Sequence, residues 1–111
     1  MELTIAERIN VLSILPEEAN FITLKIIRDL QDEMSFSEKE IKDYDIKTQL
    51  NNGRAMTGWN GEGEKAVKKC KIGEKAEDLI REELEKRNKE SKLTANLFTL
   101  YEKFVIKESK K

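Results

Sequence analysis

Four of the chain's five glycines and its single tryptophan fall within NNGRAMTGWNGEGE, residues 51–64, between two stretches whose apolar residues recur at helical spacing. That arrangement argues against an all-helical chain, because helix interiors tolerate glycine poorly, and against an all-β one, because both flanks carry a helical period. Just before the glycines, DIKTQL sets Ile46, Thr48 and Leu50 against Lys47 and Gln49, the period of two of a strand. Asn52-Gly53 suits the positive φ angles of a type I′ hairpin turn, and RAMTGW then returns as a second strand. Asn60-Gly61 is a second turn signal. KAVKKCKI is a candidate third strand, although its adjacent Ala66 and Val67 equally suit a helical turn. The expected class is α+β: N-terminal helices, a central antiparallel β-hairpin or three-stranded meander, and two C-terminal helices. The expected organisation is a single domain over 1–111, helical and acidic through 45, hairpin-forming and basic over 46–72, helical over 73–107, with a frayed tail at 108–111.

The helices announce their own ends. In LTIAERINVLSIL, Thr4 and Glu7 form a capping box, Ile5, Ile9 and Leu12 follow at helical spacing, and Pro16 stops the helix. NFITLKIIRDLQDEM predicts a second helix with Leu24, Ile27, Leu30 and Met34 on one face, Phe21 and Ile26 beside them, and Glu17-Glu18 near its positive end. Ser37 and Glu40 cap a short third helix. Gly73 precedes EKAEDLIREELEKRNKE, whose Ala76, Leu79, Ile80 and Leu84 make a narrow apolar side. Thr94 precedes ANLFTLYEKFVI, whose apolar set is wide enough for a central helix or a subunit contact. For that contact the residues are Leu97, Phe98, Tyr101, Phe104 and Val105.

Charge is unevenly distributed. Residues 1–45 hold 5 Lys/Arg and 11 Asp/Glu, whereas residues 46–72 hold 6 and 2, so an acidic front meets a basic middle. With 39% charged residues and only 38% hydrophobic, the core is small, and a homo-oligomer would bury what one chain leaves wet. No apolar run approaches the roughly 20 residues that span a bilayer. The lone Cys70 suits a reducing compartment, so a cytoplasmic protein without membrane contact is expected.

The chain has no histidine, which removes the commonest general base, the commonest zinc ligand and every Ser-His or Cys-His pair. No enzyme, cofactor or metal site is expected. Asp29 with Asp32 or Glu33 has the spacing to bind a divalent cation, but a solvated helix face is by far the better account of these residues. The glycine-rich stretch matches neither GxxxxGK[ST] nor GxGxxG, and Glu62 and Glu64 stand where a phosphate would sit; turns account for it better. Three helices followed by a basic hairpin is also the element order of a winged helix-turn-helix. Arg54, with Lys47, Lys65, Lys68, Lys69 and Lys71, has the charge to track phosphates, and Trp59 offers a stacking surface. The third helix, however, carries Glu38, Glu40 and Asp43, which phosphates repel. The expected binding set is Arg54, Trp59, Lys47, Lys65, Lys68 and Lys69, since tryptophan and arginine are favoured interface anchors.

LPEEANFITLKIIRDLQDEMSFSEKE, IGEKAEDLI and KLTANLFTLYEKFV together resemble a group of small proteins encoded in bacteriophage and prophage genomes. The resemblance covers both ends of the chain, misses most of residues 46–68 and carries no catalytic motif. It implies an accessory protein that acts by binding a host protein or a host-made small ligand, for example to inhibit a host defence system. A nucleic-acid-binding regulator and a structural assembly subunit are the alternatives.

Overall fold

Thr4 and Glu7 exchange the hydrogen bonds of a capping box: the Glu7 N–H donates to Thr4 Oγ1 at 3.1 Å and the Thr4 N–H to Glu7 Oε1 at 2.9 Å. This starts helix α1, Ile5–Ile14, which ends ahead of Pro16 as the sequence requires. The computed structural model describes residues 1–106, so the expected frayed tail lies outside the described residues. Helix α2, Phe21–Met34, is capped by Asn20, whose side chain accepts from the Thr23 N–H at 2.8 Å. Glu17 and Glu18 therefore precede the helix and do not begin it, because the Asn20 cap fixes its start three residues after Pro16-Glu17. Ser37 and Glu40 form the second capping box, at the head of α3, Glu38–Asp43.

Strand β2, Lys47–Asn51, and strand β3, Arg54–Gly58, pair antiparallel across Asn52-Gly53. Both turn residues have positive φ, 53° and 80°, the type I′ geometry that Asn-Gly favours. Of the two central architectures expected, the hairpin is the one formed. The would-be third strand does not extend it. Asn60 instead caps a short helix α4, Gly61–Lys65, and β4, Val67–Lys69, pairs antiparallel with an N-terminal strand β1, Glu2–Thr4. The pairing reaches one step further: the Cys70 N–H donates to the Met1 carbonyl at 2.8 Å. The α+β class holds, with two separate two-stranded sheets.

Helix α5, Glu74–Lys89, begins at Gly73 and buries Ile80 and Leu84. The last helical stretch is irregular: a 3₁₀ turn at Ala95–Leu97 leads into α6, Phe98–Tyr101, and a π-helical turn, Glu102–Ile106. Leu3, Val11, Leu30, Met34, Ile80, Leu84, Leu100 and Phe104 form one core, drawn from β1, α1, α2, α5 and the C-terminal stretch. On α2 the expected face is half right. Ile27, Leu30 and Met34 sink into the core, but Phe21 (80% exposed), Ile22 and Leu24 on the first two turns stay in water.

The α2 C-terminus lacks both a capping glycine and a basic residue in its last turn. Its orphan carbonyls are met from elsewhere in the fold. Arg8, 1% exposed, donates from Nε to the Met34 carbonyl at 3.3 Å and from Nη2 to the Ser35 carbonyl at 2.5 Å. Its Nη1 pairs with Glu40 at 2.7 Å, and its guanidinium lies 4.4 Å over the Phe36 ring. Lys68 Nζ donates to the Glu33 carbonyl at 2.7 Å. On the neighbouring residue of α1, buried Glu7 pairs with Lys103 Nζ at 2.7 Å, and the same Nζ donates to the Glu2 carbonyl at 2.9 Å.

Arg8→Met keeps the bulk but leaves two carbonyls and Glu40 without their donor. It is expected to destabilise the fold by about 3 kcal/mol, read from denaturant unfolding. Acid should act on the same contacts. The Arg8 hydrogen bond holds the Glu40 carboxyl below its ordinary pKa of 4.5. Burial alone would push Glu7 up, but Lys103, the Thr4 N–H and Thr99 together leave it lowered. Because both folded values are depressed, their stabilisation is complete above the ordinary carboxylate range and is lost as pH falls through and below it. Thermal melts between pH 7 and 3 should show that loss, and Glu40→Gln should flatten the profile.

Candidate interaction surface

The hairpin register defines its two faces. Lys47 lies opposite Gly58, Gln49 opposite Met56 and Asn51 opposite Arg54, while Thr48 lies opposite Thr57 and Leu50 opposite Ala55. Cross-strand partners share a face, so Lys47, Gln49, Arg54 and Met56 project on one side and Thr48, Leu50, Ala55 and Thr57 on the other. The second face is tied by a Thr48–Thr57 hydroxyl hydrogen bond of 3.0 Å, and Leu50 there is 77% exposed. On the first face Asp45, Lys47, Gln49, Met56, Gly58 and Trp59 line a shallow concavity.

The base of the hairpin is clamped. Asp45, at φ 50°, turns the chain out of α3. The Asn60 N–H donates to the Tyr44 carbonyl at 2.8 Å, and Asn60 Nδ2 to the Asp43 carbonyl at 3.1 Å. The same side chain caps α4 by accepting from the Gly63 N–H at 2.9 Å. Trp59 Nε1 donates to Glu64 Oε2 at 2.6 Å. Gly63 is required by this packing. A β-carbon there would stand 3.0 Å from Tyr44 Cβ and 3.1 Å from both Trp59 Cβ and Cδ1. Trp59 is consequently half-buried, with its ring held between the hairpin and α4 rather than free to swing.

Of the residues expected to bind, Arg54 and Lys47 are exposed on the same face as the concavity that Trp59 lines. Lys47 Nζ stands 3.4 Å from Asp45, an exposed pair that leaves it accessible. Lys65 and Lys69 are exposed on α4 and β4, away from the hairpin ladder. Lys68 is already engaged. Half-buried, it donates to the α2 terminus and stands 3.9 Å from the Glu33 carboxylate, so it contributes little to an open basic surface. Sequence reading missed Gln49 and Met56: strand alternation places Met56 beside Arg54, and the register adds Gln49 to that face. It also missed the hydrogen bond from Trp59 to Glu64, for which no sequence signal exists.

Glu33 accepts from the Lys71 N–H at 2.8 Å, and no cluster of three or more metal-ligating side chains occurs among the described residues. Cys70 is buried, and desolvation pushes its thiol pKa up, against thiolate chemistry at neutral pH. The residues expected to form a subunit contact on the last helix divide between core and surface. Leu97 and Phe104 are buried in the chain's own core. Phe98, at 64% exposure, Tyr101 and Ile106 instead line an outer apolar groove with Leu93 and Ala95, and Val105 is half-buried. Among the described residues no helix is long and apolar enough to cross a membrane. No family model, curated protein or solved structure matches the chain.

Gly63→Ala and Gly61→Ala make a matched test of the clamp. An added methyl at residue 61 meets nothing within 4 Å and should be silent or slightly stabilising. At residue 63 it must displace Trp59 or Tyr44, at about 1–2 kcal/mol, with a shift in tryptophan emission. Equal spectra for the two variants would mean that Trp59 is not held by α4.

Proposed function

We propose that this chain is a non-enzymatic accessory binding protein of phage origin, acting in the host cytoplasm, which inhibits a host defence by engaging a host protein or its small ligand. The observation that carries the binding part is the exposed hairpin face, where Lys47, Gln49, Arg54 and Met56 stand beside a tryptophan fixed at its base. Flexible cations, a soft apolar side chain and a rigid aromatic are the components of an interface anchor, and their mounting is already organised. The absence of histidine and the engagement of Glu7, Glu33 and Glu40 in structural hydrogen bonds support the non-catalytic reading. The phage context rests on the resemblance of the two ends of the chain alone.

The second reading, a nucleic-acid-binding regulator, is favoured by one observation: Arg54 sits beside the turn of a wing-like hairpin that follows α3. The character of α3 weighs against it. Glu38 and Asp43 are exposed there, and Glu40 is committed to Arg8, so a phosphate backbone approaching that helix meets negative charge.

The double variant Lys47→Ala, Arg54→Ala should fold with an unchanged melting temperature and lose at least tenfold in affinity for the host factor that the wild-type chain retains from lysate. Unchanged retention would place the contact surface elsewhere. Duplex or single-stranded DNA binding that weakens steeply between 50 and 200 mM salt would favour the regulator instead.

A further inference from the structure

We infer that the outer edge of β3 is a self-association site, pairing antiparallel with β3 of a second copy to make a four-stranded sheet. Backbone geometry makes the edge available. In a two-residue hairpin the residues flanking the turn, Asn51 and Arg54, exchange hydrogen bonds, and the ladder then alternates. Arg54, Met56 and Gly58 therefore direct their backbone groups toward β2, and Ala55 and Thr57 direct theirs outward. Among the described residues, neither Ala55 nor Thr57 makes a backbone hydrogen bond outside the ladder. Of the devices that normally prevent pairing, β3 contains no proline and no lysine, its register with β2 runs without a bulge, and its one charge, Arg54, finds a partner in the register below. A two-stranded hairpin with this much exposed surface gains from further strands.

The side chains specify the occupant. With the two-fold axis at Met56, Ala55 of one copy pairs with Thr57 of the other, which uses the outward groups of both residues on both chains. The same register sets Arg54 opposite Gly58 of the second copy. Directly opposed residues share a face, so each Arg54 enters the space left by the missing side chain, beside the other copy's Trp59 and Glu64. Trp59 lines that concavity, and Glu64 is exposed while accepting the indole N–H, so the guanidinium meets an aromatic ring and a carboxylate. Lys47 faces the concavity from β2, next to Asp45, which offsets its charge. The β2 edge offers no counterpart, since the equivalent register would set Lys47 opposite Asn51. This self-contact differs from the Phe98 groove, for which nothing in the structure shows an occupant.

The experiment uses the purified full chain without host material, so its outcome is independent of the host-partner reading. Sedimentation over a micromolar to millimolar range should show a reversible monomer–dimer equilibrium. Ala55→Pro removes an outward N–H without touching a β2 bond and should raise the dimer dissociation constant roughly tenfold or more, since each dimer loses two hydrogen bonds. Arg54→Glu or Glu64→Arg alone should weaken the dimer, and the two together should restore it. On mild oxidation Met56→Cys should cross-link, its opposed β-carbons lying about 5 Å apart. Leu50→Cys, about 16 Å from its counterpart across three strand spacings and a two-residue offset, should not. Cys70 is buried and serves as the silent background. A chain that stays monomeric throughout the range, cross-linking through Leu50→Cys in place of Met56→Cys, or a dimer abolished by Phe98→Glu but untouched by Ala55→Pro would each overturn the proposal.

Discussion

The carboxyl end of α2 is the point on which the described fold depends. A helix that stops inside a protein leaves its last carbonyls unpaired, and a chain usually solves this locally with a glycine or a basic last turn. Here α2 ends in QDEM followed by Ser35, which supplies neither. The solution is tertiary. Ser35 returns its hydroxyl to the Asp32 carbonyl at 2.7 Å, Lys68 reaches the Glu33 carbonyl from β4, and Arg8 reaches the carbonyls of Met34 and Ser35 from α1. Cations there also answer the negative end of the helix dipole. One helix terminus thus gathers α1, β4 and, through the Arg8–Glu40 pair, α3. The direction in which α3 ends fixes Tyr44 and Asp45, and with them the base of the hairpin.

This arrangement explains why the projecting hairpin has a definite mount despite contributing nothing to the buried core. Among the described residues its strands carry no buried side chain, but Tyr44, Asn60 and Gly63 bind its two ends to α3 and α4. A binding element held this way loses little conformational freedom when it engages a partner, because ordering has been completed in folding. The core lies among β1, α1, α2, α5 and the C-terminal stretch, whereas the exposed side chains of Arg54, Met56 and Leu50 lie on the hairpin.

Local signals were the legible part of the sequence. Both capping boxes, the stop at Pro16, the Asn-Gly turn and the apolar stripe of α5 are decided by residues within four positions of one another. What was not legible depended on partners far along the chain. Glu2–Thr4 reads as the approach to a helix, and becomes a strand only because Val67–Lys69 arrives beside it. Arg8 reads as one more surface cation of an amphipathic helix, yet its guanidinium is among the most buried groups of the fold. Gly61 and Gly63 read as turn residues, while the structure uses them in a short helix whose second glycine makes room for Trp59. For the candidate surface, strand alternation was sufficient to set Lys47 beside Gln49 and Arg54 beside Met56, but only the register brings the two pairs onto one face.

The basic middle of the sequence shows why a charge run is a poor map of a surface. Six cations within 27 residues suggest one patch, but each element they fall on imposes its own direction. Lys68 turns inward to the α2 terminus, Lys65 sits at the end of α4, Lys69 lies on a sheet shared with β1, and Lys71 has its own backbone N–H tied to Glu33. Lys47 and Arg54 are left on the hairpin, and neither would bind anything tightly as an isolated exposed charge. What gives them meaning is their setting: a flat pleated face, a methionine between them across the ladder, and an indole fixed at the foot. On the proposed reading, recognition rests on the hairpin's register rather than on its net charge, and it should be sensitive to changes that slip that register even when every charge is kept.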